Sequence, residues 1–346
     1  MTITIDGSLY EGGGGMLRNA IALSLTTLKP VRIINIRKNR NKPGIGHQHL
    51  ASIRLAVKMS DSSVQGASLG STDLLFIPQK IRQGTYEIDI GTAGSIPLMA
   101  QSVLLPCILS GQKFIIRAKG GTDVPHSMNT DYMDSIYGYA IREYCDINVE
   151  TIRRGYYPRG GGRADISINS KYTAFDKEIY ESIMLDGSMD IEKISLRMNA
   201  SKDMIANRIL ENIEEYIRLE IAGMNYDHSI SSYYQDSEEK GVSILLSIAG
   251  AIGEKRIMTG ETIIPDNNDA NMISYNAIDS IRSHVNTKAA CDKYLTDQMI
   301  TLLGILGGKI YTSTITEHTR ANIYIAEQFL GKKYSIKENT ISVEKE

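Results

Sequence analysis

One recurrence constrains the fold of this chain more than any other feature. A β-like run, a glycine-containing turn and an apolar helix return about every 80 to 100 residues without readable sequence identity. Thr2-Ile3-Thr4-Ile5 alternates as a strand, and Glu11-Gly12-Gly13-Gly14-Gly15 then leads a helical face of Leu17, Ala20, Ile21, Ser24 and Leu25. Glu87-Ile88-Asp89-Ile90 leads through Gly91-Thr92-Ala93-Gly94-Ser95 into an apolar helix reaching from Gln101 to Leu109. Asp297 and Gln298 lead a third apolar helix that stops at Gly307-Gly308. Solenoid repeats are shorter and better marked, so the pattern predicts a mixed α/β (α+β) chain built from a repeated unit.

From residue 185 to residue 273 the basic glycine-rich turns vanish and acidic residues dominate. This predicts a smaller inserted α/β domain at 185–273, with 1–184 and 274–346 forming one discontinuous domain around it. Charge follows the same division. Residues 1 to 60 hold nine Lys/Arg against two Asp/Glu, a balance of +7, whereas 185 to 275 hold eight against sixteen, a balance of −8. A net charge of −2 thus conceals a basic working surface on one unit and an acidic second unit turned away from any polyanion. Three widely spaced cysteines, Cys107, Cys145 and Cys291, give neither a disulfide framework nor a zinc knuckle. No uncharged apolar run is long enough to span a membrane, and Met1 to Asp6 has no basic segment leading into an apolar one. The expectation is a soluble cytoplasmic protein with no membrane association and no evident obligate protein partner.

Several stretches carry chemistry. Four glycines after Glu11 let the backbone take positive φ and feed a helix N-terminus, which suits a phosphate cradle as well as a plain flexible turn. No Walker lysine or strict Gly-x-Gly-x-x-Gly follows, which excludes the familiar nucleotide motifs. Arg37-Lys38-Asn39-Arg40-Asn41-Lys42-Pro43-Gly44 is a basic turn whose arginines can grip phosphate with two prongs; it precedes a helix from about Gln48 to Met59 that carries His49. Gln101 is a polar group within an apolar helix, serving either a buried partner or a ligand. Arg153 to Gly162 is a basic, aromatic and glycine-rich turn. His318 stands where the β-rich run Lys309 to Thr314 gives way to a helix of Ile323, Ala326, Phe329 and Leu330. A histidine there is either a capping residue or a group that meets anionic phosphate at the free N–H groups of the helix.

Taken in order, these motifs resemble one family. Asp6-Gly7-Ser8 with Glu11 to Gly14 and Leu17-Arg18, the Arg37 to Gly44 turn with Gln48-His49-Leu50, and Gly91 to Ser95 with Gln101 are similar to the RNA 3′-terminal phosphate cyclases. So are Gly120-Gly121-Thr122-Asp123, Tyr157-Pro158, Tyr294-Leu295-Thr296-Asp297-Gln298, and His318 ahead of Asn322-Ile323. The chain departs from the family pattern at Leu9-Tyr10 and at Gly15-Met16.

The resemblance implies three repeated βαβ-type units with a smaller α/β domain inserted before the third. It implies an ATP-dependent enzyme of the ligase class that converts an RNA 3′-phosphate into a 2′,3′-cyclic phosphate. His318 would carry AMP as a covalent phosphoramidate, and an RNA-adenylate would follow. Gln101, Tyr294, Leu295, Thr296, Asp297, Gln298, Glu11 and Arg18 would bind ATP, and Arg37 and Arg40 the RNA end or the triphosphate. Glu11 would hold Mg²⁺ or Mn²⁺, since oxygen ligands suit hard cations. The chemistry fits the residue types, because adenylation gives a poorly electrophilic phosphate monoester a good leaving group and imidazole can both attack phosphorus and depart from it. The competing readings are a ribosome-assembly factor of the same fold without the catalytic histidine and an enolpyruvyl transferase with two comparable halves. His318 with Glu11 and Arg18 favours the enzyme.

Overall fold

The computed structural model describes residues 1–10, 12–171, 182–202, 206–216, 219, 226–265 and 269–344. The first repeat runs β1 (Ile3–Asp6), α1 (Gly14–Thr27), β2 (Val31–Ile34), α2 (His47–Ser60), β3 (Ser63–Gln65) and β4 (Leu74–Ile77). The second runs β5 (Gly84–Asp89), α3 (Ile96–Ile108) and β6 (Lys113–Gly120), then a helical segment α4, then β7 (Cys145–Arg153) and β8 (Gly162–Ser170). Segment α4 opens with Thr130–Tyr132, widens to a π-helical stretch over Met133–Tyr137 and closes with Gly138–Ala140.

The third repeat is interrupted. Its first strand, β9 (Ile183–Leu185), is followed by β10 (Asp190–Ser201), α5 (Ala206–Tyr216), β11 (Asp227–Gln235), β12 (Val242–Ile252), β13 (Lys255–Ile263) and α6 (Ala270–Thr287). It resumes with α7 (Lys293–Leu306), β14 (Gly308–Tyr311), α8 (Glu317–Leu330), β15 (Ser335–Lys337) and β16 (Thr340–Val343).

Strand order proves the repetition that residue identity hides. The sheets read β1-β2-β4-β3, β5-β6-β8-β7 and β9-β14-β16-β15. In each, the first two strands pair in parallel and the remaining pairings are antiparallel. The parallel pair needs a crossover, which α1, α3 and α7 supply. Burial alternates strictly along β6, so one face of that sheet packs on helices and the other meets solvent. Helix α1 packs against α2, α3 and α8, and α7 against α8, so the helices of the three repeats share one core.

The intervening sheet has the order β11-β10-β12-β13. Helix α6 packs on β12, β13 and α5, which places it with this sheet although its polar face reads, in sequence, as a return to the main pattern. Two buried polar hubs bolt the insert to the repeats. Arg154 binds Asp123 at 3.1 Å, Asp131 at 2.7 Å and Asn199 of β10 at 3.2 Å, while Ser243 of β12 donates to Asp123 at 2.6 Å. Burial alone would weaken the Arg154 charge, but Asp123 and Asp131 more than offset that and hold its pKa above the usual value. The basic Arg153 to Gly162 turn also faces the insert. Arg153 meets Glu238 at 3.0 Å and Arg159 meets Glu239 at 2.8 Å. Among the described residues no helix is long and apolar enough to cross a membrane.

Candidate active site

A cavity of ≈ 310 Å³ opens where the N-terminal ends of α1, α2 and α8 converge. Helix α1 supplies the floor. Its N-cap is Gly13, which has no side chain of its own to cap the first-turn N–H groups, and helix N-termini of this kind suit an anion. Gly12 precedes it at φ 57, a conformation that favours glycine. A side chain at Gly14 would collide with the site, and one at Gly13 would touch it. A Cβ at Gly14 would overlap His49 Nε2 and come within 3.0 Å of Arg18 Nη1, and one at Gly13 would lie 3.4 Å from Arg40 Nη2 and 3.5 Å from His318 Cε1.

His318 is the second residue of α8, behind the N-cap Thr316. The cap is unusually well tied. Thr316 and Thr319 satisfy each other's N–H groups, and both hydroxyls donate to Asp297 Oδ1, at 3.1 and 2.6 Å. Asn322, one turn after His318, donates to the Asp297 carbonyl at 3.0 Å and accepts from Asn19 of α1 at 2.7 Å. The exposed imidazole is therefore presented by a helix end fixed to both α7 and α1. Asp297, expected from the resemblance to bind ATP, uses its carboxylate to hold that helix end.

Arg18 crosses the floor, largely buried at 8% exposure. Desolvation lowers its pKa to about 10, which leaves it cationic at neutral pH. Its Nε donates to Gln101 Oε1 at 2.7 Å, and Gln101 Nε2 in turn donates to Gln298 Oε1. With Nε committed, the two η nitrogens face the glycines and form a fixed two-pronged donor. The apolar-helix glutamine thus serves a partner and the cavity at once.

The helical spacing of α7 sorts the Tyr294 to Gln298 segment. Tyr294, Asp297 and Gln298 line the cavity, three and four residues apart on one face. Leu295 and Thr296, expected beside them, are buried in the core at 1% and 0% exposure and do not line it. Thr296 instead donates to Asp292 O and Thr312 Oγ1. Tyr294 meets the Tyr132 ring edge-on at 6.4 Å, and Lys293 Nζ lies 5.0 Å from its centroid.

Arg37 and Arg40 line the same cavity. Desolvation and the neighbouring Arg40 charge lower the Arg37 pKa, a mark of a site short of anions. His49 and His126 also line the cavity, although their types and positions alone favour structural roles. His49 Nδ1 accepts the Gly46 N–H at 3.2 Å, so the neutral ring carries its proton on Nε2, beside Gly14. Burial first, then Arg18 and Arg37, push its pKa down to about 3. No sequence signal marks this role, because it depends on α1 and α2 meeting.

Asp292 is a second feature that the sequence does not expose. It caps α7 by accepting the Tyr294 and Leu295 N–H groups at 2.8 and 3.0 Å. It also accepts the Tyr132 hydroxyl at 2.8 Å, the Thr259 hydroxyl at 3.1 Å and the Gly260 N–H at 3.3 Å. Strand β13 of the insert is thereby joined to the helix that carries Tyr294 and Gln298.

Glu11, the expected metal ligand, lies outside the described residues. Among the described residues no three His, Cys, Asp or Glu side chains cluster to hold a metal ion.

Comparison with known proteins settles the family. A family model described as RNA 3′-terminal phosphate cyclase matches residues 9–336. The chain belongs to the RNA 3′-terminal phosphate cyclase family. Curated relatives carrying that name include one from Pyrococcus furiosus, 35% identical over 338 residues, covering 97% of this chain and 95% of the relative. Another, from Methanococcoides burtonii, is 34% identical over 337 residues and covers 96% of each chain. A third, from Archaeoglobus fulgidus, is 34% identical over 349 residues and covers 99% of each. The match to these cyclase relatives runs over nearly the full length of both chains.

Proposed function

We propose that the protein is an ATP-dependent RNA 3′-terminal phosphate cyclase that works through a covalent histidyl-AMP at His318. One observation supports the reading: the His318 imidazole lies against the glycine-rich N-terminus of α1, in a cavity that Arg18, Arg37 and Arg40 also line. A nucleophile, an anion cradle and fixed cations are the parts that attack on phosphorus needs.

In the first step a ring nitrogen of His318 attacks the ATP α-phosphorus. An N–P bond forms, the bond from the α-phosphorus to its bridging oxygen breaks, and pyrophosphate leaves. In the second step an oxygen of the RNA 3′-phosphate attacks the histidyl-AMP phosphorus, the N–P bond breaks, and the RNA carries a phosphoanhydride-linked AMP. In the third step the 2′-hydroxyl attacks the terminal RNA phosphorus, its proton passes to solvent, and AMP leaves as the 2′,3′-cyclic phosphate closes. Arg18 and the first N–H groups of α1 stabilise the charge that builds on phosphate oxygens. Neutral His49 donates from Nε2 into the same region without adding a mobile charge. Tyr294 offers a face for adenine, and Gln101 and Gln298 hold Arg18 in position. A divalent cation bound by Glu11 and the triphosphate would offset phosphate charge.

The test is a 3′-phosphorylated oligoribonucleotide incubated with enzyme, ATP and Mg²⁺ or Mn²⁺. Its end should become phosphatase-resistant only when ATP is present. An end that stays sensitive under both metals would overturn the reading in favour of a non-catalytic assembly factor.

A further inference from the structure

We propose that Tyr10, braced by Tyr324, is a stacking platform for a nucleobase near the 3′ end of the RNA; the inference deepens the cyclase reading and rests on it. Tyr10 stands at φ 53, a conformation that bulky residues rarely adopt, and is 44% exposed. An aromatic ring held out of the core on an unfavourable backbone calls for an explanation beyond packing.

The stretch leading into it is fixed at Asp6 and Ser8. Asp6 Oδ1 accepts the Ser8 N–H and hydroxyl at 2.9 and 2.7 Å and the Asn35 amide at 3.1 Å. Asn39, in the basic turn, donates to the Ser8 carbonyl at 2.8 Å. The Tyr10 ring leans on Tyr324, with centroids 5.9 Å apart and planes 47° apart, so it is supported without being enclosed.

Its place relative to the chemistry is bounded twice. Tyr324 lies six residues beyond His318 on α8, roughly 9 Å of helix rise. Tyr10 lies three residues before the cavity-lining Gly13, at most roughly 11 Å of chain. The platform is thus within reach of the last nucleotides of an RNA whose terminal phosphate sits beside His318.

Charge identifies the occupant. Lys38 and Lys42 are exposed on the turn that Asn39 ties to this loop, and Arg40 of the same turn lines the cavity. A polyanion bearing flat apolar rings matches cations next to an exposed aromatic, and that is single-stranded nucleic acid. Stacking is tolerant of base identity, so the platform should register the presence of a base more than its sequence.

The test removes the ring and the base independently. Tyr10→Gly deletes the ring at a position whose positive φ glycine accepts freely, so folding is preserved, and Tyr10→Phe keeps the ring. Affinity for 3′-phosphorylated oligonucleotides is measured by fluorescence anisotropy, with each of the last two nucleotides normal or abasic, alongside the cyclisation rate. Tyr10→Gly should raise Kd for the normal oligonucleotide about 5- to 150-fold and Tyr10→Phe less than about twofold. With the abasic nucleotide at the stacked position, wild type and Tyr10→Gly should converge. Equal Kd on the normal oligonucleotide overturns the platform, and so does an equal loss on normal and abasic substrates. If wild type discriminates base from abasic site yet never cyclises, the platform stands and the cyclase reading falls.

Discussion

Asp292 offers the most informative perturbation of the architecture. Its carboxylate receives five donors, from the Tyr294, Leu295 and Gly260 N–H groups and the Tyr132 and Thr259 hydroxyls. Burial raises its pKa, so the group itself carries a desolvation cost that its removal returns. Replacing it with alanine deletes an N-cap worth about 1 kcal/mol. It also leaves the buried Tyr132 hydroxyl unpaired and takes the acceptor from the Thr259 hydroxyl, which still receives the residue-292 N–H, at about 1 to 3 kcal/mol each. Set against the returned desolvation, the expected cost of Asp292→Ala is about 3 kcal/mol. Asp292→Asn keeps one acceptor for the cap and can donate to the Tyr132 oxygen, but its amide also meets the Gly260 N–H, so it should cost about 2 kcal/mol, less than alanine. With 19 tyrosines and no tryptophan, urea unfolding can be followed by tyrosine fluorescence and far-UV circular dichroism. Because α7 also carries Tyr294 and Gln298, the ATP KM should rise in the same order, alanine above asparagine above wild type. An alanine variant as stable as wild type, or an asparagine variant no better than alanine, would refute the account of this hub.

The remaining predictions concern the cavity and the domain junction. His49 should stay neutral from pH 8 down to pH 5 in an NMR titration, since its folded pKa is pushed down to about 3. The unfolded chain takes up this proton first, so the His49 contribution to stability is complete above about 6.5 and declines as pH falls from there toward 3; a measured pKa near 6.5 would contradict it. Arg154→Ala strands the buried Asp123 and Asp131 carboxylates and should cost about 3 to 5 kcal/mol in urea unfolding. Neutralising both carboxylates in the same background should recover part of that loss, and no recovery would show that the ion pairs are not the cause. Gly14→Ala puts a Cβ into His49 and against Arg18. It should slow ATP-dependent modification of the protein about 100-fold, as expected when a catalytic floor is displaced by about 1 Å, and a wild-type rate would rule out the cradle.

Much of this was legible where local pattern and tertiary need agree. The helix after His318 ends at Gly331, at φ 71, where its apolar spacing stops, and the α1 face of Leu17, Ala20, Ile21, Ser24 and Leu25 is buried as its period requires. Repetition was visible as a rhythm of strand, turn and helix, while the shared strand order emerged only from pairing, which no single segment encodes. Leu295 and Thr296 match the family pattern together with Tyr294 because the three are contiguous, yet the helix turns them into the core. His49 is visible in sequence only as part of the Gln48-His49-Leu50 motif and Asp292 not at all, because their roles arise from elements distant in sequence. The end of the insert was obscured for a similar reason: the half-polar α6 reads alike whether it covers one sheet or another.

The central claim is that His318 carries AMP. Incubating the protein with ATP labelled on the α-phosphate and a divalent cation, then mapping the label by peptide mass spectrometry, tests it directly. The account predicts an acid-labile, alkali-stable AMP adduct on His318 that is absent from His318→Ala. Label of equal extent in His318→Ala, or no label in a wild-type protein that cyclises RNA, would contradict it.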